Sequence, residues 1–169
     1  SLIKEAVRIT DECFSHLLKI IKEGITETEI SAEISYFFNK SGCENAFDPI
    51  VVSGIKSSMP HGTTDNVKLT PNSFLTMDFG AKYKGYCSDL TRTIVLGKAD
   101  EEMKRVYKTV LTANKKAITV SNIGAKCKDV DWVARDYISS NGYGKYFSHS
   151  TGHSLGVEIH EAPSVSGLS

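Results

Sequence analysis

No stretch of the 169 residues stays apolar for the roughly 18 positions that a membrane-spanning helix requires, and the first residues carry no secretory leader pattern. Neither sign of charge is in excess, because 20 Lys and Arg are balanced by 20 Asp and Glu. The chain therefore lacks the electrostatic footprint of a protein that grips nucleic acid or an anionic bilayer, and neither is expected as a partner. Cysteine is scarce and scattered. Cys13, Cys43, Cys87 and Cys127 form no CxxC pair, which argues against a zinc ribbon or a dithiol redox motif and fits reduced thiols in a cytoplasmic protein. What remains is 40% hydrophobic and 24% charged, an ordinary globular composition on a chain long enough to bury a core.

Apolar residues recur at helical spacing over 2–23 (Ile3, Val7, Phe14, Leu17, Leu18, Ile21), and Gly24 stops the helix. Thr26-Glu-Thr-Glu29 is a capping-box signal for a second helix, which Gly42 ends. Residues 47–53 (FDPIVVS) read as a strand, with Pro49 at its start or on an edge. A polar loop with Pro60, His61 and Gly62 follows. Residues 73–79 and 86–96 read as two strands joined by a turn near Lys84-Gly85. Asp100 is placed to cap a third helix, a fourth covers roughly 127–140, and a short strand is expected over Leu155–Ile159.

The segment 22–42 (KEGITETEISAEISYFFNKSG) aligns without gaps on 122–142 (NIGAKCKDVDWVARDYISSNG) at a constant offset of 100 positions. Gly24 falls on Gly124, Glu29 on Asp129, Ile30 on Val130, Phe38 on Ile138 and Gly42 on Gly142. A long helix precedes each copy, and a histidine-bearing segment follows each. The expected organisation is a duplication with half-repeats of roughly 1–96 and 97–169. The first half continues into the 73–96 hairpin. The matching hairpin of the second half would begin just past Ser169, so the second half is expected to be truncated.

Two groups of residues are suited to chemistry. Asp78 and Asp89 stand eleven positions apart on the two arms of the expected hairpin, and a turn near 83–85 brings them nearly opposite each other. Like charges held so close call for a cation, or for one acid to stay protonated. The second group is HSTGHSLGVEIHE, 149–161, which holds three of the five histidines. His149 and His153 have the HxxxH spacing of a helical zinc motif, but Gly152 and Gly156 argue against a helix, so the two are expected to have separate roles.

PHG at 60–62, DFG at 78–80, SDLTRT at 88–93 and HSTGHSLGVEIHEAP at 149–163 together resemble the pita-bread metallopeptidases: methionine aminopeptidase, aminopeptidase P and prolidase. The resemblance covers nearly the whole chain and implies an α+β pita-bread fold with internal pseudo-two-fold duplication. It implies that residues 1–169 are a partial catalytic domain whose full-length parent holds two divalent metal ions (Mn²⁺, Co²⁺ or Zn²⁺). Asp78 and Asp89 would be metal ligands, Asp89 bridging, and His153 would hold the second ion. His61 and His160 match catalytic positions that contact substrate. His149 matches a substrate-binding histidine of the proline-specific members. Two family glutamates, in motifs like TIEPG and RIED, are not found here, and Ser154 stands where the family has glycine.

The activity so implied is metal-dependent hydrolysis of peptide bonds preceding proline, by an Xaa-Pro dipeptidase or aminopeptidase, with a peptide as substrate and partner and a homodimer as an open assembly. The chain by itself is expected to be inactive. Methionine aminopeptidase is the alternative within enzymes, disfavoured by His149. A non-catalytic peptide-binding module on the same fold is the alternative outside them, disfavoured by the retained Asp78, Asp89 and His153.

Overall fold

The hydroxyl of Ser1 accepts a hydrogen bond from the Lys4 N–H, and α1 (Leu2–Ile20) follows in the computed structural model, which describes residues 1–59 and 62–167. Ile9, Cys13 and Leu17 form its buried stripe. The second helix, α2 (Glu27–Lys40), opens on the expected capping box: Glu29 N–H donates to the Thr26 hydroxyl, and Thr26 N–H donates to the Glu29 carboxylate. Gly24 and Gly42 take the left-handed φ values of +85° and +72° that let the chain leave each helix sharply.

Among the described residues, six strands follow: β1 (Glu44–Asn45), β2 (Ile50–Ser53), β3 (Ser73–Phe79), β4 (Ala81–Tyr83), β5 (Tyr86–Cys87) and β6 (Leu90–Leu96). The sheets are β2-β3-β6, antiparallel with β3 in the middle, and β1-β4-β5. The expected hairpin thus exists with its turn at Lys84-Gly85, but it is not one ladder. Past Phe79 and before Leu90 the two arms leave the first sheet and pair again in the second. Gly80 allows the switch: a Cβ there would lie 1.8 Å from the Ser88 carbonyl oxygen. The backbone around the crossing is buried and must find partners. Ala81 N–H lies within reach of both the Thr10 and Ser88 hydroxyls, at 3.1 and 3.0 Å, and Ser88 N–H donates to the Ala81 carbonyl.

By the density of internal contacts the chain forms two compact units, Ser1–Ala99 with Leu155–Ile159, and Asp100–Ser154 with His160–Ser169. The first unit is built on Ile9, Cys13, Leu17, Ile30, Ile34, Phe38, Leu75, Met77 and Phe79. Residues 155–159 are not the expected strand. Their alternation is that of a strand, but Gly156 carbonyl accepts from Cys87 N–H at 2.7 Å and Gly156 N–H donates to the Glu158 carbonyl, so no ladder forms there. The strands in this region are β7 (Gly152–Ser154) and β8 (Glu161–Val165), which pair antiparallel in the second unit.

The second unit also contains α3 (Glu101–Val120), capped by Asp100, and α4 (Cys127–Ser140). The boundaries of α4 repeat those of α2 at the 100-position offset, and Gly124 and Gly142 repeat the left-handed exits, both at φ +87°. The backbone duplication is therefore close, while the packing is not. Ala113, Ala117, Val130, Ala134 and Ile138 form the core of the second unit. Their counterparts in the first are Cys13, Leu17, Ile30, Ile34 and Phe38, larger at every position. Thr10 is 1% exposed, beneath the Gly80 crossing, whereas its counterpart Val110 on α3 is 54% exposed.

The smaller core predicts lower local stability. Native-state hydrogen exchange on the 169-residue protein should show amides of α3 and α4 with protection at least about tenfold below those of α1 and β3; equal protection would contradict this account of the packing. Gly80→Ala should destabilise by at least about 3 kcal/mol, at the top of the overpacking range, because the obstacle is backbone. Gly152→Ala, where a Cβ would meet nothing within 4 Å, is the control and should shift the urea midpoint little.

Candidate functional site

The non-core face of the β2-β3-β6 sheet is polar where β3 meets β6. Leu75, Met77 and Phe79 point into the core, so Thr76 and Asp78 point the other way. Asp78 pairs with Thr91, and the Thr91 hydroxyl donates to Asp78 Oδ1 at 3.0 Å. Thr76 and Thr93 pair one step along, their hydroxyls 3.0 Å apart. Asp89 lies outside both ladders, between Cys87 of β5 and Leu90 of β6, and two positions before Thr91, the ladder partner of Asp78. The sequence reading has the two acids nearly opposite each other; in the structure the ladder partner of Asp78 is Thr91, and Asp89 stands before the ladder begins at Leu90.

The second unit holds His149, His153 and His160. His153 lies on β7, paired with Ser164 of β8, and its Nδ1 lies 3.0 Å from the Ser154 carbonyl. A carbonyl only accepts, so Nδ1 carries the proton and Nε2 is the lone-pair nitrogen of the neutral ring. The His160 ring is tilted against that of His153, with centroids 4.3 Å apart. His149 sits apart from this pair, on the loop before β7. Its Nδ1 likewise donates to the Ser150 carbonyl, at 2.8 Å, and its ring meets the edge of Phe147. As expected, the HxxxH segment is not helical. His61, the remaining candidate, lies outside the described residues.

Residues the sequence reading had not singled out hold the segments around these candidates. Glu27 on α2 is buried, and its carboxylate accepts from Ser53 N–H, the Ser53 hydroxyl, Lys56 Nζ and Asp65 N–H. It thus ties down the described chain on either side of Pro60-His61. Asp131 on α4 is buried as well, and accepts from Arg135, Thr151 N–H and the Thr151 hydroxyl. Burial opposes its ionisation, but the hydrogen bonds from Arg135 and Thr151 outweigh that and hold its carboxyl below the usual carboxylate range. A sequence signal for Asp131 did exist: an acid beside the apolar stripe Val130, Ala134 and Ile138, with an arginine one turn on.

The donor types of Asp78, Asp89 and His153, two carboxylates and an imidazole with Nε2 as its lone-pair nitrogen, fit a divalent ion of the Mn²⁺, Co²⁺ or Zn²⁺ kind. Among the described residues, no three His, Cys, Asp or Glu side chains gather as a group that would hold a metal. All four cysteines are reduced thiols, and burial pushes that of Cys13 up to about 12. An open depression of about 460 Å³ lies beside α2, lined by Ser31, Ser35, Asn45, Asp48, Ile50 and Thr64 among others; none of the described site candidates lines it. No helix among the described residues is long and apolar enough to cross a membrane.

Comparison with known proteins shows the family and the fold. The chain is 40% identical over 166 residues to the Xaa-Pro dipeptidase of Pyrococcus horikoshii, covering 98% of this chain and 47% of that protein. Its structure matches an Xaa-Pro dipeptidase from Bacillus anthracis with a TM-score of 0.94 at 44% identity, over 98% of this chain and 47% of the other. It matches an X-Pro aminopeptidase from Thermotoga maritima with a TM-score of 0.95 at 39% identity, over 98% and 47%. The chain thus takes the α+β pita-bread fold of these peptidases and spans about half the length of the relatives it matches. The model of metallopeptidase family M24 matches residues 1–168, and the chain belongs to that family.

Proposed function

We propose that, within a full-length catalytic domain of the family, these residues serve the metal-dependent hydrolysis of peptide bonds preceding proline, as part of an Xaa-Pro dipeptidase or Xaa-Pro aminopeptidase. The observation that supports the reading is the Asp78–Thr91 register, two positions from Asp89, with the Thr91 hydroxyl orienting the Asp78 carboxylate. Asp78, Asp89 and His153 would hold a dinuclear site of Mn²⁺, Co²⁺ or Zn²⁺. Bound ions there would polarise the scissile carbonyl and lower the pKa of a water.

The protein's own groups do the rest. Thr91 restricts the Asp78 carboxylate through its hydrogen bond to Oδ1. The Nδ1 proton of His153 is committed to the Ser154 carbonyl, which fixes the tautomer with the lone pair on Nε2. His160, tilted against His153 and exposed, would donate to the substrate, and His61 would act with it on the oxygen that gains charge. His149, on its own loop, would bind the substrate away from the reacting carbonyl, and it is the residue that favours a proline-specific enzyme over a methionine aminopeptidase. A cytoplasmic location and a homodimer complete the proposal.

Two measurements test it. The 169-residue protein, given Mn²⁺ and an Xaa-Pro dipeptide, is expected to bind metal weakly and to show no turnover; hydrolysis at the rate of a full-length relative would contradict the assignment. In a full-length protein, Asp78→Asn, Asp89→Asn and His153→Ala should each lower kcat/KM by more than about 100-fold, since loss of a direct ligand should exceed the 10–100-fold cost of losing a supporting group. Unchanged activity in any of the three removes that residue from the site.

A further inference from the structure

We propose that Asp131 and Arg135 are a positioning pair that sets the backbone of the Phe147–Thr151 loop and thereby aims His149 at the substrate. This rests on the reading of His149 as substrate-binding.

The pair sits one turn apart on α4. Arg135 Nε donates to Asp131 Oδ2 at 2.9 Å and Nη2 to Oδ1 at 3.1 Å, a bidentate fork. The remaining guanidinium capacity goes to the loop: Nη1 donates to the Phe147 carbonyl and Nη2 to the His149 carbonyl, each at 2.8 Å. Asp131 Oδ1 takes the other end, accepting from Thr151 N–H at 3.0 Å and from its hydroxyl at 2.8 Å. Alternate residues of the loop, 147, 149 and 151, are therefore all anchored to one ion pair. The guanidinium also lies over the Phe147 ring at 4.5 Å, and the Phe147 edge meets the His149 ring at 4.8 Å and 82°. Backbone and ring of His149 are both set through Arg135.

Stability alone does not account for the pair. Asp131 is buried beside an apolar row, and a buried ion pair is often no more stabilising than apolar residues of the same volume. What an apolar pair cannot do is bond two carbonyls and an amide at fixed spacing. Lysine at 135 would keep the charge and lose the planar fork.

The test is a double-mutant cycle on the full-length protein with an Xaa-Pro dipeptide. Arg135→Met and His149→Ala should each raise KM by about tenfold or more with kcat within about threefold, and the double variant should be no worse than His149→Ala alone. Additive losses, or a fall in kcat with KM unchanged, would overturn the proposal. Arg135→Lys should fall between wild type and Arg135→Met, and it replaces Arg135→Met in the cycle if that variant does not fold. If the wild-type protein does not hydrolyse Xaa-Pro substrates, the proposed function fails first. The pair is then judged by the ring-nitrogen NMR shifts of His149, which must move in Arg135→Lys; identical shifts would refute it.

Discussion

A carboxylate taken out of water must be given donors, and in this protein the donors come from segments that adjoin the candidate residues. Glu27 and Asp131 are both buried on the second helix of their unit. Neither is matched by its own helix alone. Glu27 draws in Ser53, Lys56 and Asp65, and Asp131 draws in Thr151 directly and Phe147 and His149 through Arg135. Leaving either acid short of donors would cost several kcal/mol, so each loop is held by the need to satisfy a buried charge. The Phe147–Thr151 segment, which joins no ladder, is thereby held without a disulfide.

The duplication makes the comparison internal. α2 and α4 have the same length and the same glycine exits. Their buried acids, however, are not at equivalent positions: Glu27 matches Cys127, and Asp131 matches Ser31, one helical turn along. The helix frame is repeated, and the device that holds the loop has been placed on that frame in two ways. The cation differs as well. Lys56 reaches Glu27 from the loop, whereas Arg135 shares the helix with Asp131 and so can fork both to the acid and to the loop carbonyls. Packing differs in the same sense, with larger side chains in the first unit's core at each matched position.

Much of this was legible in the order of residues. Helix starts at Thr26 and Asp100, and helix exits at Gly24, Gly42, Gly124 and Gly142, follow from capping chemistry within a few positions of the chain. The non-helical course of 149–153 follows from its glycines. The hairpin was legible as two apolar-alternating arms, but its division at Gly80 was not, because the ladder breaks where Ser88 and Thr10 approach, and Thr10 is far away in sequence. Asp78 and Asp89 were read as nearly opposite each other, yet the ladder partner of Asp78 is Thr91, which is a matter of register.

The strand expected at Leu155–Ile159 shows the same limit from the other side. Its alternation is genuine, but Gly156 bonds to Cys87, and the ladder forms instead on the residues either side. Periodicity reports which faces a segment has, not who pairs with it. By itself, then, the sequence determined the helices, the repeat and the donor atoms available for chemistry, since these depend on contacts three or four residues apart. Only the tertiary structure decided the register that pairs Asp78 with Thr91, the crossing at Gly80 and the Asp131–Arg135 hold on the Phe147–Thr151 loop, because each rests on hydrogen bonds or packing between residues that the chain alone keeps well separated.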